Sequence, residues 1–230
     1  REFGVIQADL DHRIVGFQEK PAEPITIPEN PDVALASMGI YVFNARFLYE
    51  KLCDDATVHD SDHDFDKNII PDAIDNHRVF AFPFTDENGK REAYWRDVGT
   101  IDAYFEATMD LIDVDPQLNL YDDKWPIRAF QPMLPPPKFV FGSEGGPSIR
   151  RGEALDSLIC QGAIVSGGRV HRSVVGPNVR INSYATVEDC ILFEDVEVGR
   201  RSHLRRVIVD KGVQIPAETE IGLDPVKDAE

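Results

Sequence analysis

The stretch VVGPNVRINSYATVEDC (174–190) is followed by ILFEDVEVGRRSHLRRV (191–207), and the two align without a gap. Aliphatic residues recur at matched places: Val174 with Ile191, Val175 with Leu192, Val179 with Val196, Ile181 with Val198, Val187 with Leu204. Working outward, the ladder extends back through Leu158, Ile164 and Val170 and forward through Val209, Ile215 and Ile221. Within each group of three the step is six residues, and the next group restarts five residues on, so the period is 17. Aliphatic side chains make up about a quarter of an ordinary chain, so an unbroken series of this kind is not chance. A six-residue step is too long for a helical turn and suits one side of a triangular coil. Three short strands per coil then bury one aliphatic residue each. This predicts a hexapeptide-repeat, left-handed parallel β-helix over 149–230, with Ile164, Ile181, Val198 and Ile215 in one column. By itself such a repeat is scaffold, since fold does not imply function.

Residues 1–130 have a different texture. Phe3 to Asp9 and Ile14 to Gln18 read as the strands of a hairpin, turning at Asp11-His12-Arg13. Met38-Gly39-Ile40-Tyr41-Val42-Phe43 is a continuous apolar run, the signature of a strand buried on both faces. Asn44 is placed to cap a helix carrying Phe47, Leu48 and Leu52. Thr100 is placed to cap a second helix with Ile101, Tyr104, Phe105, Thr108, Leu111 and Ile112 on one face, and Asp102 suits its positive end. Mixed strands and helices predict an α/β layer architecture. Leu134-Pro135-Pro136-Pro137 and the small residues from Gly142 to Pro147 break the pattern, and 131–148 reads as a linker.

The charge balance is 24 basic against 41 acidic residues, a net of −17. That argues against nucleic acid and anionic membrane surfaces as partners. Local Lys or Arg can still bind a small phosphate. Three scattered cysteines (Cys53, Cys160, Cys190), with no CxxC or Cys/His cluster, fit a reducing, cytoplasmic compartment. There is no apolar run long enough to cross a membrane. The chain opens on Arg1-Glu2-Phe3-Gly4-Val5-Ile6, which reads as a strand already under way, so a piece of a longer protein is expected.

Several segments resemble sugar-1-phosphate nucleotidyltransferases: FGVI (3–6), FQEKP (17–21), SMGIYVF (37–43), HDF (63–65), IIP (69–71) and YWRDVGT (94–100). Tyr121-Asp122, WPIR (125–128) and LPP (134–136), with the repeat behind them, resemble the bacterial ADP-glucose pyrophosphorylases. The resemblance covers nearly the whole chain. It implies the C-terminal part of a Rossmann-like nucleotidyltransferase domain followed by the β-helix. It also implies joining of ATP and glucose 1-phosphate into ADP-glucose and pyrophosphate, with Mg²⁺, for glycogen synthesis. The family is homotetrameric and responds to phosphorylated effectors. Its N-terminal Gly-rich phosphate loop and early metal-binding Asp have no counterpart here, so this stretch alone is not expected to turn over. After His63-Asp64-Phe65, Asp66 and Asn68 stand at positions usually Gly and Asp.

The reaction is an in-line attack on the α-phosphorus of ATP, so the protein has phosphate charge to collect and no covalent nucleophile to supply. By resemblance, Lys20 binds the sugar phosphate, Glu19 accepts from glucose hydroxyls, Ser37 meets the sugar and Gly4 admits it close to the backbone. As bare residues, Glu19-Lys20 is an exposed ion pair before a turn, Ser37 a turn-forming serine and Gly4 a plain strand glycine. By resemblance Asp97 is one of two Mg²⁺ carboxylates. As a bare residue it pairs with Arg96 or caps the following helix. Asp195 and Lys211 lie where the family binds effectors, whereas a Glu194–Lys211 surface ion pair is the plain alternative. Three other readings stay open: another sugar-1-phosphate nucleotidyltransferase, a hexapeptide acyltransferase using His171 or His203, and a non-catalytic regulatory module.

Overall fold

The computed structural model describes residues 3–27, 30–85, 94–124, 126–130, 132–140, 142, 150–224, 226 and 228. Trp125 of the WPIR segment and most of 141–149 in the expected linker lie outside the described residues. The chain forms two compact units, Arg1–Thr85 and Asp86–Glu230. That division falls before the boundary near residue 130 expected from sequence texture.

In the first unit, β1 (Val5–Ala8) and β2 (Ile14–Gln18) pair antiparallel, as the alternation predicts. The Asp9 carboxylate accepts from the Asp11 and Arg13 amides at 3.0 and 2.8 Å, and His12 takes a φ of 60°, so the chain reverses there. β3 (Leu35–Ala36) pairs antiparallel with the other edge of β1. Helix α1 (Ala45–Asp55) is capped by Asn44, whose side chain accepts from the Arg46 and Phe47 amides. A wide helical turn, Phe65–Ile69, leads into α2 (Ile70–Asn76). Val5, Ile14, Ile69, Ile70 and Ala73 form the small core of this unit.

The run Met38 to Phe43 is not a buried strand: Ile40 and Val42 are 74% and 98% exposed. No strand among the described residues pairs with it, so nothing covers alternate side chains. Tyr41 and Phe43 instead turn toward Phe65, each with ring centroids 6.0 Å away.

In the second unit α3 (Ile101–Met109) is capped by Thr100 with Asp102 in its first turn, as predicted, although Ile101 is 77% exposed rather than packed. The preceding residues 94–99 carry no strand, so Asp97 sits on a turn before the helix and not at a strand end. Strand β4 (Lys138–Val140) falls inside the stretch expected to be linker. It pairs parallel with β7 (Ile164–Ser166), because three residues after the prolines suffice for one side of a coil.

The repeat folds as a parallel left-handed β-helix of about four turns. Its three walls are the stacks β4-β7-β10-β13-β16, β5-β8-β11-β14-β17 and β6-β9-β12-β15. The strands, in chain order, are β5 (Glu153–Leu155), β6 (Leu158–Ile159), β7, β8 (Arg169–His171), β9 (Val174–Val175), β10 (Arg180–Ile181), β11 (Thr186–Glu188), β12 (Ile191–Leu192), β13 (Glu197–Val198), β14 (His203–Arg205), β15 (Ile208–Val209), β16 (Gln214–Ile215) and β17 (Glu220–Ile221). Val175, Ile181, Val187, Leu192, Val198 and Leu204 are at most 1% exposed, so the predicted ladder is the core.

The first coil departs from the predicted register by one residue. Val165, not Ile164, pairs with Ile181, and Ile159, not Leu158, pairs with Val175. The cause is a corner one residue shorter, with Ser166 alone between Val165 and Gly167 where Asn182-Ser183 separate Ile181 from Tyr184. Gly167 at φ 72° occupies the left-handed corner position that Tyr184, Arg201 and Glu218 hold in later coils at φ 65°, 58° and 64°. The step from Val165 to Val170 is therefore five residues where Ile181 to Val187 is six.

Candidate functional site

Four of the residues singled out in the sequence meet on the β1–β2–β3 sheet. β1 begins directly after Gly4, and the Ser37 amide, just past β3, donates to the Gly4 carbonyl at 2.8 Å. Glu19 follows β2, which pairs with the other edge of β1, so its side chain returns toward Gly4. A Cβ on Gly4 would lie 3.4 Å from Glu19 Oε2 and would collide with the end of the Phe17 ring. The Phe17 ring fills that space, so only glycine fits there. Among the described residues Glu19 Oε2 is buried with no hydrogen-bond partner, which is costly for a carboxylate oxygen. Glu19 Oε1 lies 3.7 Å from Lys20 Nζ, so the plain ion-pair reading of Glu19-Lys20 is present in loose form. Lys20 takes a left-handed φ of 44°, and its side chain remains 61% exposed beside the buried carboxylate.

Ser37 is buried, and its hydroxyl lies 3.3 Å from the Tyr41 hydroxyl and accepts from the Gly39 amide at 3.3 Å. The Tyr41 hydroxyl also makes a short hydrogen bond to Asp66. Burial, followed by that bond, pushes the Tyr41 phenol up to about 12, and the charge of Glu19 adds to the effect. The contact of Tyr41 with Ser37 and Asp66 is not legible in the sequence. Tyr41 lies within a run that reads as strand core, and only the wide turn at Phe65–Ile69 brings Asp66 to it.

Asp97 belongs to the second unit. It is exposed, and its Oδ1 accepts from the Gly99 amide at 3.0 Å. Neither plain reading of Asp97 holds in full. Arg96 turns to Asp110 (3.5 Å), to Gln117 (3.4 Å) and over the Tyr94 ring, and Thr100 is the helix cap. Among the described residues no group of three or more His, Cys, Asp or Glu could hold a metal. A single carboxylate with one oxygen engaged in a turn fits the one or two protein ligands that hard Mg²⁺ takes, the rest being water and phosphate.

On the β-helix, Asp195 stands at a left-handed corner and accepts from Asn178 Nδ2 at 2.6 Å. Lys211 is exposed, and among the described residues no ion pair joins it to Glu194 or Asp195. Only the Gly212 amide reaches the Glu194 carbonyl, at 2.9 Å. His203 Nδ1 is engaged by Thr186 Oγ1 at 2.7 Å, and His171 lies 3.7 Å from Asp156. No described helix is long and apolar enough to cross a membrane.

Residues 1–114 match the family described as nucleotidyl transferase, and residues 135–230 match the family described as GlmU-like, C-terminal hexapeptide. The chain is 72% identical to a glucose-1-phosphate adenylyltransferase of Rhodopirellula baltica, over 97% of this chain and 50% of the relative. Proteins of the same name from Paramagnetospirillum magneticum and Methylobacillus flagellatus are 52% and 53% identical, over 99% and 96% of this chain and 53% and 52% of theirs. The chain thus spans about half the length of the curated relatives it matches. With both family matches falling on the two textures of the sequence, and with these identities running across nearly all of it, the chain belongs to the glucose-1-phosphate adenylyltransferase family.

Proposed function

We propose that this chain carries the sugar-phosphate side of a glucose-1-phosphate adenylyltransferase acting in glycogen synthesis. The observation that carries the reading is the buried, unpartnered Glu19 Oε2 beside Gly4 and the Phe17 ring, with the Lys20 ammonium near the same carboxylate. An acceptor without a donor suits a sugar hydroxyl, and a cation next to it suits the phosphate at the sugar's first carbon.

In the proposed reaction a phosphate oxygen of glucose 1-phosphate attacks the α-phosphorus of ATP. The bond from that phosphorus to the bridging oxygen breaks, and pyrophosphate leaves. Lys20 donates to the sugar phosphate and holds it for attack. Glu19 accepts from a sugar hydroxyl and so replaces its missing partner. Ser37, fixed by Gly39 and Tyr41, lines the same wall. Asp97 offers one carboxylate oxygen to Mg²⁺, which when bound offsets the charge developing on the departing pyrophosphate. A homotetramer in the cytoplasm, with a phosphorylated effector near Asp195 and Lys211, completes the proposal.

The test is calorimetric titration of glucose 1-phosphate into the 230-residue protein. Lys20→Ala removes a charge-assisted bond and is expected to weaken binding at least about tenfold. Glu19→Gln is expected to weaken it less, since the amide keeps one acceptor. Equal binding by Lys20→Ala and the parent, or no binding by the parent, overturns the reading.

A further inference from the structure

Asp97 lies on a turn fastened to α3 on both sides. Upstream, the Tyr94 hydroxyl donates to the Ala107 carbonyl at 3.4 Å, and Arg96 reaches Asp110. Downstream, Gly99 donates to Asp97, and the Thr100 hydroxyl accepts from the Ala103 amide at 3.1 Å. The position of Asp97 is therefore set by α3. That helix has nine residues and buries none of them, and a helix of this length is marginal without tertiary support.

The support comes from the β-helix, far along the chain. The Tyr104 ring lies 6.2 Å from Phe193, and the Arg206 guanidinium sits over the Phe105 ring at 5.7 Å. Phe193 directly follows β12, and Arg206 lies two residues before β15. The outward column of this wall is Val174, Ile191 and Ile208, since Val175, Leu192 and Val209 point in. Ile191 faces outward yet is 1% exposed, so this wall is covered.

We propose that Arg206 and Phe193 are positioning residues for Asp97, acting through α3. The functional consequence rests on the reading of Asp97 as a metal carboxylate. The cation–π contact fixes the long axis of α3 at Phe105, and the ring pair fixes its roll at Tyr104.

Amide hydrogen exchange in the 230-residue protein tests this directly. Arg206→Ala is expected to speed exchange at Gly99, Ala103 and Tyr104 about threefold, the scale of an exposed cation–π contact. Arg206→Lys, which keeps a cation, restores most of the protection, and Phe193→Ala raises exchange at the same amides. Arg205→Ala, one residue away on β14 and paired beside Glu188, leaves them unchanged. Amides of Ile191 and Val198 report that the coil is intact throughout. Unchanged exchange at Gly99 and Ala103 in Arg206→Ala overturns the proposal.

The second arm uses Mn²⁺ as probe, read by broadening of the Gly99 amide signal. Arg206→Ala is expected to weaken Mn²⁺ about threefold by the same coupling. If Asp97→Asn abolishes the broadening while Arg206→Ala leaves affinity untouched, the positioning role is overturned. If Asp97→Asn leaves the broadening intact, the metal reading fails, while the exchange result still decides the positioning role.

Discussion

The Tyr41 hydroxyl is hydrogen bonded to the Asp66 carboxylate across a separation of 25 residues, and it also meets Ser37. Burial and this bond stabilise the neutral phenol, whose folded-state value of about 12 lies above the usual 10.0. Between those values the unfolded chain releases a proton that the folded chain keeps. The stabilisation is therefore complete below pH 10 and lost as pH rises toward 12. Burial also raises the Tyr94 phenol, so in a Tyr94→Phe background absorbance at 295 nm during alkaline titration should show a late-ionising step that Tyr41→Phe removes. Asp66→Asn should lower that step without returning it to 10, because burial is the larger cause. A late step indifferent to Asp66→Asn would separate the two residues.

A second prediction separates neighbours in the first coil. Val165 is 1% exposed and points into the core beside Ile181, whereas Ile164 points outward and is half-buried. Val165→Asp buries an unpaired carboxylate and should cost about 3–5 kcal/mol. Ile164→Asp should cost at most about 1 kcal/mol. Urea unfolding followed by far-ultraviolet circular dichroism checks both. Equal costs would restore the uniform 17-residue register.

That pair also marks how far the sequence could be read. The ladder from Val175 to Ile221 was legible because every coil there repeats at 17, and each inward residue is aliphatic. The first coil was not, because Ile164 and Val165 are both aliphatic and only the shorter corner between Val165 and Gly167 decides between them. Asn44 in the first unit and Thr100 in the second announced their helices through local chemistry. Ile40 and Val42 misled, since an apolar run becomes a buried strand only when other strands cover it. Gly4, Glu19, Lys20 and Ser37 were singled out through motif resemblance, and the sheet register accounts for their proximity. Asp66 was out of reach because its contact with Tyr41 depends on a wide turn that no periodicity encodes.

Gly4 offers a third test. An added methyl collides with Phe17 and lies 3.4 Å from Glu19 Oε2. Gly4→Ala should force the Phe17 ring aside at a cost of about 1–3 kcal/mol, the usual range for overpacking. It should also weaken glucose 1-phosphate binding more than it destabilises the unit, because the methyl and the displaced Phe17 ring both crowd Glu19. Calorimetry and thermal unfolding of the same variant measure the two effects. Full binding with lowered stability would make Gly4 a strand glycine and nothing more.

The last prediction concerns an active adenylyltransferase containing this stretch, in which Lys20 and Asp97 should fail in different ways. Lys20→Ala removes a cation that meets the sugar phosphate before reaction, and the charge on that group changes little as the new bond forms. Its loss should raise KM for glucose 1-phosphate about tenfold or more with a smaller change in kcat. Asp97→Asn keeps the size of the side chain and its turn-forming oxygen for Gly99, so the fold of the turn survives. On the proposed role it also removes the anionic oxygen that would hold Mg²⁺, which would supply positive charge to the departing pyrophosphate. A contact that grows in the transition state appears in kcat, and about a hundredfold loss is expected with weaker apparent Mg²⁺ affinity. Initial rates over a grid of glucose 1-phosphate and Mg²⁺ concentrations resolve the two patterns. Near-normal kcat for Asp97→Asn at saturating Mg²⁺ would leave Asp97 with its bond to Gly99 alone, shaping the entry to α3.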